Sequence, residues 1–264
     1  MFGLFLILPV FALYADGLAG SNAMLVGVAL GAYGVTQALL QVPFGMLSDR
    51  FGRKPLLTAG LLLFVLGSVV AAQAGTIEGV IFGRALQGAG AISAVALALL
   101  ADLTRVEQRT KAMALAGMSI GASFLAALIL GPLLAESLGF QGLFWISGLL
   151  ALAALPVIWW LVPSARVLAD APAQQPARGK LKTLLLDSQL IRLDVGIFVL
   201  HMVLTALFVA VPLALRDSVG LSPGRHWQVY VPVLQVSVLS MVPLLPVSYT
   251  HLRAHETLRY LVCR

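Results

Sequence analysis

Apolar residues fill this chain in long runs, and short polar segments separate one run from the next. Residues 24–44 and 55–74 each contain no charged side chain. A bilayer core about 30 Å thick is crossed by about 20 apolar residues in a helix, so each such run predicts a membrane-spanning helix. The runs are too long for the alternating strands of a membrane barrel, which have about 10 residues each. Eight runs qualify, with approximate bounds 1–19, 24–47, 55–74, 77–101, 110–135, 140–163, 190–215 and 227–247.

The composition supports the same fold class. Hydrophobic residues make up 60% of the chain and charged residues only 11%, whereas about 25% of the residues in soluble domains are charged. The sequence therefore predicts an all-α integral membrane protein, built as a bundle of spanning helices.

The charged residues divide unequally between the loops. The loops after odd-numbered runs carry Asp16, Glu78 and Glu136, and most lysines and arginines follow even-numbered runs. Because cytoplasmic loops are enriched in lysine and arginine, the even loops are predicted to be cytoplasmic. The cytoplasmic segments are therefore 45–55, 102–111 and 164–189.

The net charge of +6 raises the alternative of a nucleic-acid partner. Nucleic-acid-binding proteins gather their cations on one soluble face, whereas here the cations are spread over membrane loops. The sequence thus predicts no nucleic-acid partner, and the loop cations can contact anionic lipid headgroups instead. A multi-pass membrane protein is therefore expected.

The spacing of the runs divides the chain into segments. Residues 1–163 hold six runs joined by short loops, and residues 164–189 form a cytoplasmic linker with prolines and glutamines. Residues 190–247 contain the first two helices of a second bundle. Because Met1 opens directly on an apolar run with no preceding cation, we expect the native chain to begin earlier.

The last segment, residues 248–264, changes character abruptly and is a tail of doubtful origin. His251 and His255 lie four positions apart beside Glu256, a spacing that could bind zinc on a helix. No further ligand accompanies them, and Cys263 is the single cysteine. The sequence therefore predicts no metal, no cofactor and no internal disulfide.

A charged hairpin, GMLSDRFGRK, separates the second run from the third. Gly45 and Gly52 allow two helix ends to approach closely and the chain to reverse in a short turn. Arg50 and Lys54 are equally well explained as ordinary cations of a cytoplasmic loop. Asp49 gains nothing from that bias, so it suggests a specific partner.

This hairpin fits Gly-x-x-x-Asp-Arg-x-Gly-Arg-Lys and resembles the signature loop of the major facilitator superfamily. The fourth run contains Arg84-x-x-Gln87-Gly-x-Gly, which resembles the helix-4 motif of proton-coupled members of that superfamily. Gly131-Pro132 in the fifth run partly matches a motif of its drug:proton antiporter branch. The resemblance implies a major facilitator-type bundle with about eight of twelve expected helices, in a multi-pass protein of the bacterial inner (cytoplasmic) membrane.

The resemblance also implies roles for the residues of these motifs. Asp49 would face the positive end of a helix in the second bundle, and Arg53 would pair with an acid that ends helix 4, where Asp102 lies. Such contacts would hold the cytoplasmic side closed and release it when the halves move. Gly131 and Pro132 would break helix 5. The implied gate comprises Gly45, Asp49, Arg50, Gly52, Arg53, Lys54 and Asp102.

Arg84 lies about 10 Å inside its span, at about 1.5 Å per residue from residue 77. An arginine at the bilayer centre costs at least about 2.5 kcal/mol unless water or an acceptor meets it, so it usually marks a pathway. The alternative is that its side chain extends to the outer interface.

Other polar residues recur at helical spacing within the spans. We expect these stripes to face a common cavity, although hydrogen bonds between helices are an equally good explanation. His201 lies about 16 Å inside its span and is the second candidate for handling protons after Arg84. The stripes are Tyr33, Gln37 and Gln41, then Ser119 and Ser123, then His201 and Thr205. Gly27 with Gly31, and Gly117 with Gly121, are predicted to be helix-packing notches.

The resemblance implies a proton-coupled secondary transporter that exports a small, amphiphilic solute by antiport. A proton symporter or uniporter for a nutrient is one alternative, and a non-transporting receptor or assembly protein is another. An enzyme is not expected, because the spans show no paired acids, metal-ligand cluster or activated nucleophile. The expected partners are a small-molecule substrate, protons and membrane lipid, and the expected state is a monomer.

Overall fold

The computed structural model describes residues 2–90, 92–163 and 186–241. These residues are almost entirely helical. Three short turns of other helix types occur, at Val106–Gln108, Val157–Leu161 and Pro223–Arg225. The α-helices are α1 (Phe2–Ile7), α2 (Phe11–Ala15), α3 (Ala23–Phe51), α4 (Arg53–Gln73), α5 (Ile77–Ala89), α6 (Ile92–Asp102), α7 (Arg109–Pro156), α8 (Ser188–Asp217) and α9 (Trp227–Met241).

Five helical segments of this described part are long and apolar enough to cross a membrane. They correspond to the predicted spans from the second to the seventh, with the fifth and sixth merged. Several predicted features lie outside the described residues: positions 164–185 of the linker, the end of the eighth span, and the tail with His251 and His255.

The first predicted span differs from expectation, because two short helices replace one long helix. α1 ends at Ile7 and α2 begins at Phe11. Pro9 lies between them and has no N–H to donate, and its ring would collide with the carbonyl four residues earlier in a continuous helix. The fourth span is described in two parts, α5 and α6, on either side of residue 91.

The break expected at Gly131-Pro132 is absent, and this prediction is wrong. Both residues lie inside α7, whose backbone becomes non-helical only at Gly139, with φ 71° and ψ 177°. Glycine adopts this positive φ without a Cβ clash, so Gly139 turns the chain between the fifth and sixth spans. Gly131 has a packing role instead, since a Cβ there would lie 2.7 Å from the carbonyl oxygen of Leu6.

The main core joins α1 and α2 to α3, α4, α5 and α7. Its most distinctive contacts are aromatic, in edge-to-face geometry. The ring of Phe140 lies 5.4 Å from that of Phe11 and 5.2 Å from that of Phe144. Such pairs add about 0.5–1.5 kcal/mol to the burial of their surfaces. The first helices are thereby held against the second half of α7.

Close packing of α3, α4 and α5 depends on glycines that were not predicted from the sequence to be packing notches. A Cβ on Gly67 would lie 2.5 Å from the backbone N of Gln87, and one on Gly88 would lie 2.1 Å from the carbonyl oxygen of Tyr33. The predicted notches are open by contrast. Within the described residues, no atom of another helix lies within 4 Å of a Cβ built on Gly27, Gly31, Gly117 or Gly121.

Candidate transport pathway and cytoplasmic gate

Arg84 is fully buried in the first bundle, with 1% of its surface exposed. Its guanidinium carbon lies 4.9 Å from the centre of the Tyr33 ring, a cation–π contact between α5 and α3. Its Nη1 donates to Oε1 of Gln87 over 3.1 Å. The side chain therefore stays inside the bundle and does not extend to the membrane interface.

The hydrogen bonds continue from Arg84 to a third helix. Gln87 Nε2 donates to Oγ of Ser68 over 2.8 Å, and that hydroxyl donates to the carbonyl of Phe64. Among the described residues, no carboxylate forms a salt bridge with Arg84, and its buried Nε has no hydrogen-bond partner. The network thus holds a positive charge with π electrons and neutral dipoles.

A cavity of about 250 Å³ lies beside this network. Its polar lining comes from Tyr33, Gln87, Ser93 and Ser147. Most of the remaining lining is apolar, and it includes Phe2, Leu4, Leu61, Phe64, Ile92 and Leu150. A cavity with a few polar groups on apolar walls is the usual character of a small-molecule site.

The predicted polar stripes do not converge on this cavity as a group. Tyr33 lines it, and Gln37 Nε2 donates over 3.1 Å to Ser93, which also lines it. Gln41 is half-buried on the same helix and is not among the lining residues.

The stripes of the fifth and seventh spans lie away from the cavity. Ser119 and Ser123 donate to carbonyls of their own helix. His201 and Thr205 are exposed on α8 and bond to the carbonyls of Ile197 and His201. The structure therefore brings Arg84, Gln87, Tyr33 and Gln37 together, and it leaves the other candidates apart.

At the predicted cytoplasmic side, Arg53 joins two acids. Its Nη1 lies 2.6 Å from Oδ1 of Asp49, and its Nε donates to Oδ2 of Asp102 over 2.8 Å. Nη1 also contacts Oγ of Ser48, a buried hydroxyl that donates to the carbonyl of Gly45. The end of α3, the start of α4 and the end of α6 are thus linked by one guanidinium.

The other residues of the hairpin have local contacts. Gly52 has φ 96°, a conformation that glycine tolerates and that ends α3 one residue before α4 begins. Lys54 Nζ donates to the carbonyl of Val162 over 2.6 Å and lies 5.9 Å from the ring centre of Trp159. Arg50 lies over the ring of Phe51.

Three serines that complete these networks were missed by the sequence prediction. Gln87 donates a hydrogen bond to Ser68, and Gln37 donates one to Ser93. Arg53 donates one to Ser48. Each lies outside the polar stripes predicted from the sequence, although other polar residues are present on the same helices. Its only sequence signal is one hydroxyl in or beside an apolar run, which also suits a serine bonded to its own helix.

The chain as a whole matches a known protein family. The Major Facilitator Superfamily matches residues 1–262. The chain belongs to this superfamily. Its fold class is therefore the one predicted, an all-α membrane bundle of the major facilitator type.

Individual relatives agree with this assignment. The chain is 44% identical over 243 residues to the inner membrane transport protein YajR of Escherichia coli, covering 92% of this chain and 53% of the relative. An uncharacterized transporter of Buchnera aphidicola (subsp. Schizaphis graminum) is 39% identical over 87% of this chain and 59% of its own length. The multidrug resistance protein MdtL of Escherichia coli is 29% identical over 80% of this chain and 54% of its own length.

The chain thus spans somewhat more than half the length of each of these three relatives. Its long apolar helices and its similarity to an inner membrane transport protein confirm the expected localisation, a multi-pass protein of the inner membrane.

Proposed function

We propose that this protein is a proton-coupled secondary transporter that exports a small, amphiphilic solute by alternating access and acts as a monomer. The observation that carries the proposal is the buried Arg84, held by Tyr33 and Gln87 without a described carboxylate partner. A charge in that position is costly, and intramembrane charges of this kind are usually part of a pathway for ions or substrate.

The contacts of Arg84 give it a way to take part in coupling. Its neighbours in the network are a ring and an amide, which hold the cation without neutralising its charge. The electrostatic potential of the adjacent cavity therefore remains positive, and a change in solvation or in a nearby proton alters the energy of the whole network. Substrate and proton would thus influence each other through Gln87, which belongs to both network and cavity lining.

The cytoplasmic cluster supports the alternating-access part of the proposal. Arg53 connects α4 to both α3 and α6 through partly exposed acids. Partly exposed ion pairs contribute about 0–1 kcal/mol each, so a cluster of this kind can open and re-form during a transport cycle. The hairpin would act as a latch on the cytoplasmic side.

The substrate class is inferred from the cavity and from one relative. Apolar walls with tyrosine, glutamine and serine suit a compound that has both an apolar body and a hydrogen-bonding group. The similarity to a multidrug resistance protein favours export over nutrient uptake.

Flux in reconstituted vesicles tests the function. A version extended to the length of the relatives is incorporated beside the 264-residue chain, and a panel of amphiphilic compounds is assayed with imposed pH gradients. We expect the extended protein to move a compound against its gradient only when protons flow in the opposite direction. Flux of the compound in the same direction as the protons would establish symport instead, and flux independent of pH would establish a uniporter. The absence of flux for every compound of the panel would contradict transport of amphiphilic solutes.

A further inference from the structure

α8 begins the second bundle, and only its end contacts the first bundle closely. Every residue from Ser188 to Leu207 is exposed, whereas burial begins at Phe208 and Pro212 is buried. The loop charges place Ser188 on the cytoplasmic side and Asp217 on the outer side. Within the described residues, the two bundles therefore meet at their outer ends and separate toward the cytoplasm.

An aromatic contact marks the start of this meeting surface. The ring of Phe208 lies 5.7 Å from that of Phe124 on α7, and Phe124 lies 5.3 Å from Phe5 on α1, both edge to face. Val209 and Leu213, further along α8, pack against the main core of the first bundle. The outer third of α8 is thus attached to the first bundle by apolar side chains.

An ion pair lies at the outer end of this surface. Arg216, in the last turn of α8, lies 3.6 Å from Asp16, the residue directly after α2. The same guanidinium is 2.7 Å from Asp217 on its own helix. Arg216 is therefore oriented by a neighbour in the second bundle and reaches an acid of the first bundle.

A second outer contact involves the loop that follows α8. Gly224 lies so close to Glu136 on α7 that a Cβ on Gly224 would overlap the carboxylate. In the same loop His226 is completely buried, with Nε2 3.1 Å from the carbonyl oxygen of Leu221. The loop thus fits tightly against the middle of α7, just before the turn at Gly139.

We propose that Asp16 and Arg216, together with the contact of Gly224 on Glu136, form the outer gate of the transport pathway. The gate is closed in this structure, and it lies at the opposite end of the bundle from the Arg53 cluster. This inference rests on the alternating access of the proposed function and adds the residues that close the outer side. The outer and inner clusters would open in turn.

The strengths of the contacts suit a gate that must open. Half of the Asp16 side chain and 37% of the Arg216 side chain are exposed, so their pair is screened by water. Breaking such a pair should shift the balance between closed and open states by at most about fivefold, which corresponds to about 1 kcal/mol. The apolar contact of Phe208 with Phe124 would keep the two bundles aligned while the ion pair between Asp16 and Arg216 breaks and re-forms.

Cross-linking tests the contact without requiring transport. The extended protein carries Cys263→Ser, a protease site in the linker at residue 175, and the pair Asp16→Cys and Arg216→Cys. A short bifunctional thiol reagent should keep the two halves joined after protease cleavage in membranes. The pair Gln108→Cys and Arg216→Cys is the control, because its members lie on opposite sides of the membrane and should separate. Failure of the outer pair to cross-link would overturn the gate.

Access from the outside tests the gating role. Thr205→Cys lies about one turn below Phe208 and reports the opening through its reaction with an impermeant thiol reagent. Asp16→Asn should raise this rate about two- to fivefold, whereas Glu78→Gln, which removes another outer-side acid that forms no described salt bridge, should leave it unchanged. Equal effects of both variants, or no effect of either, would overturn the gate.

The two proposals can fail separately. Cross-linking and labelling are measured without a solute, so a negative result there leaves any measured flux intact and rejects only the gate. If the outer pair cross-links and Asp16→Asn raises the labelling rate while no compound is transported, the contact stands and the transport function is rejected.

Discussion

The guanidinium Nε of Arg53 lies 2.8 Å from Oδ2 of Asp102, so the start of α4 is tied to the end of α6 across 49 positions of sequence. Asp49 shares the same guanidinium. Arg53 therefore links both sides of the charged hairpin to α6, the helix that contributes Ser93 to the cavity lining. The proposed cytoplasmic latch and the proposed transport pathway are thus connected through α6.

Removal of the Arg53 cation should weaken this junction. Arg53→Ala removes the ion pairs with Asp49 and Asp102. We expect the free energy of unfolding to fall by about 1 kcal/mol, since both pairs are partly exposed. The thermal midpoint in detergent should fall by about 2–4 °C. Arg50→Ala is the matched control, because Arg50 has no described acid partner, and an equal loss there would contradict a specific role for Arg53.

Replacement of Arg84 should separate folding from function. Arg84→Met removes the buried charge and keeps most of the side-chain volume, so the thermal midpoint should hold or rise. Proton-coupled flux by the extended protein should fall at least about tenfold, equivalent to about 1.4 kcal/mol. Arg84→Lys keeps the charge but not the planar guanidinium, and should retain flux in part.

A loop arginine supplies the control for this variant. Arg105→Met removes the same charge from an exposed loop position and should leave both flux and stability unchanged. Normal flux with normal proton dependence in Arg84→Met would show that Arg84 is structural. His201 would then be the leading candidate for handling protons.

The topology prediction can be checked by thiol labelling in intact cells. In a background with Cys263→Ser, a cysteine at Gln108 should be shielded from an impermeant reagent, whereas one at Gly75 should react. Both positions are exposed in the structure, so burial would not explain a difference. If Gln108→Cys reacts from outside, the predicted orientation is wrong, and the assignments of the cytoplasmic and outer gates must be exchanged.

The glycine contact between α5 and α3 leads to a stability prediction. In Gly88→Ala the new Cβ meets the carbonyl oxygen of Tyr33, so the structure must shift at a cost of roughly 1–3 kcal/mol, or about 2–10 °C in thermal midpoint. Gly27→Ala is the matched control, since its Cβ would be in open space among the described residues. It should be neutral or stabilising by up to about 1 kcal/mol, because alanine favours the helix. Equal effects would reject the close contact.

His226 should make stability depend on pH. Its burial in the loop before α9 lowers the pKa below the ordinary value of about 6.5, against a smaller opposite effect from the carbonyl of Leu221. The neutral form is therefore favoured in the folded state. The stability that the neutral His226 side chain contributes is complete above about pH 6.5. It is lost as the pH falls below that value toward the lowered pKa of His226 in the folded protein.

Thermal midpoints in detergent between pH 8 and pH 5 measure this effect. The midpoint should fall on the acid side of about pH 6.5, and His226→Gln should reduce that fall. His201→Gln is the control, because His201 is exposed on α8 and should leave the pH profile unchanged. A profile that is the same in all three proteins would contradict the role of His226.

The sequence by itself determined the membrane character, most of the spans and the residues of the charged hairpin. These features depend on local properties: an apolar run of about 20 residues is expelled from water wherever it packs, and a cluster of charges must stay in water. The pairing of Arg53 with Asp102 was implied by the resemblance of the charged hairpin to the major facilitator signature loop, and the structure contains it.

Only the tertiary structure decided which side chains meet inside the bundle. The rotation of each helix about its axis selects Ser68 as the partner of Gln87 and Ser93 as the partner of Gln37, and hydropathy carries no information about that rotation. The same holds for the turn at Gly139 in place of Gly131-Pro132, since Gly131 is required where Leu6 approaches α7. Contacts between distant segments choose among glycines and serines that look equivalent along the chain.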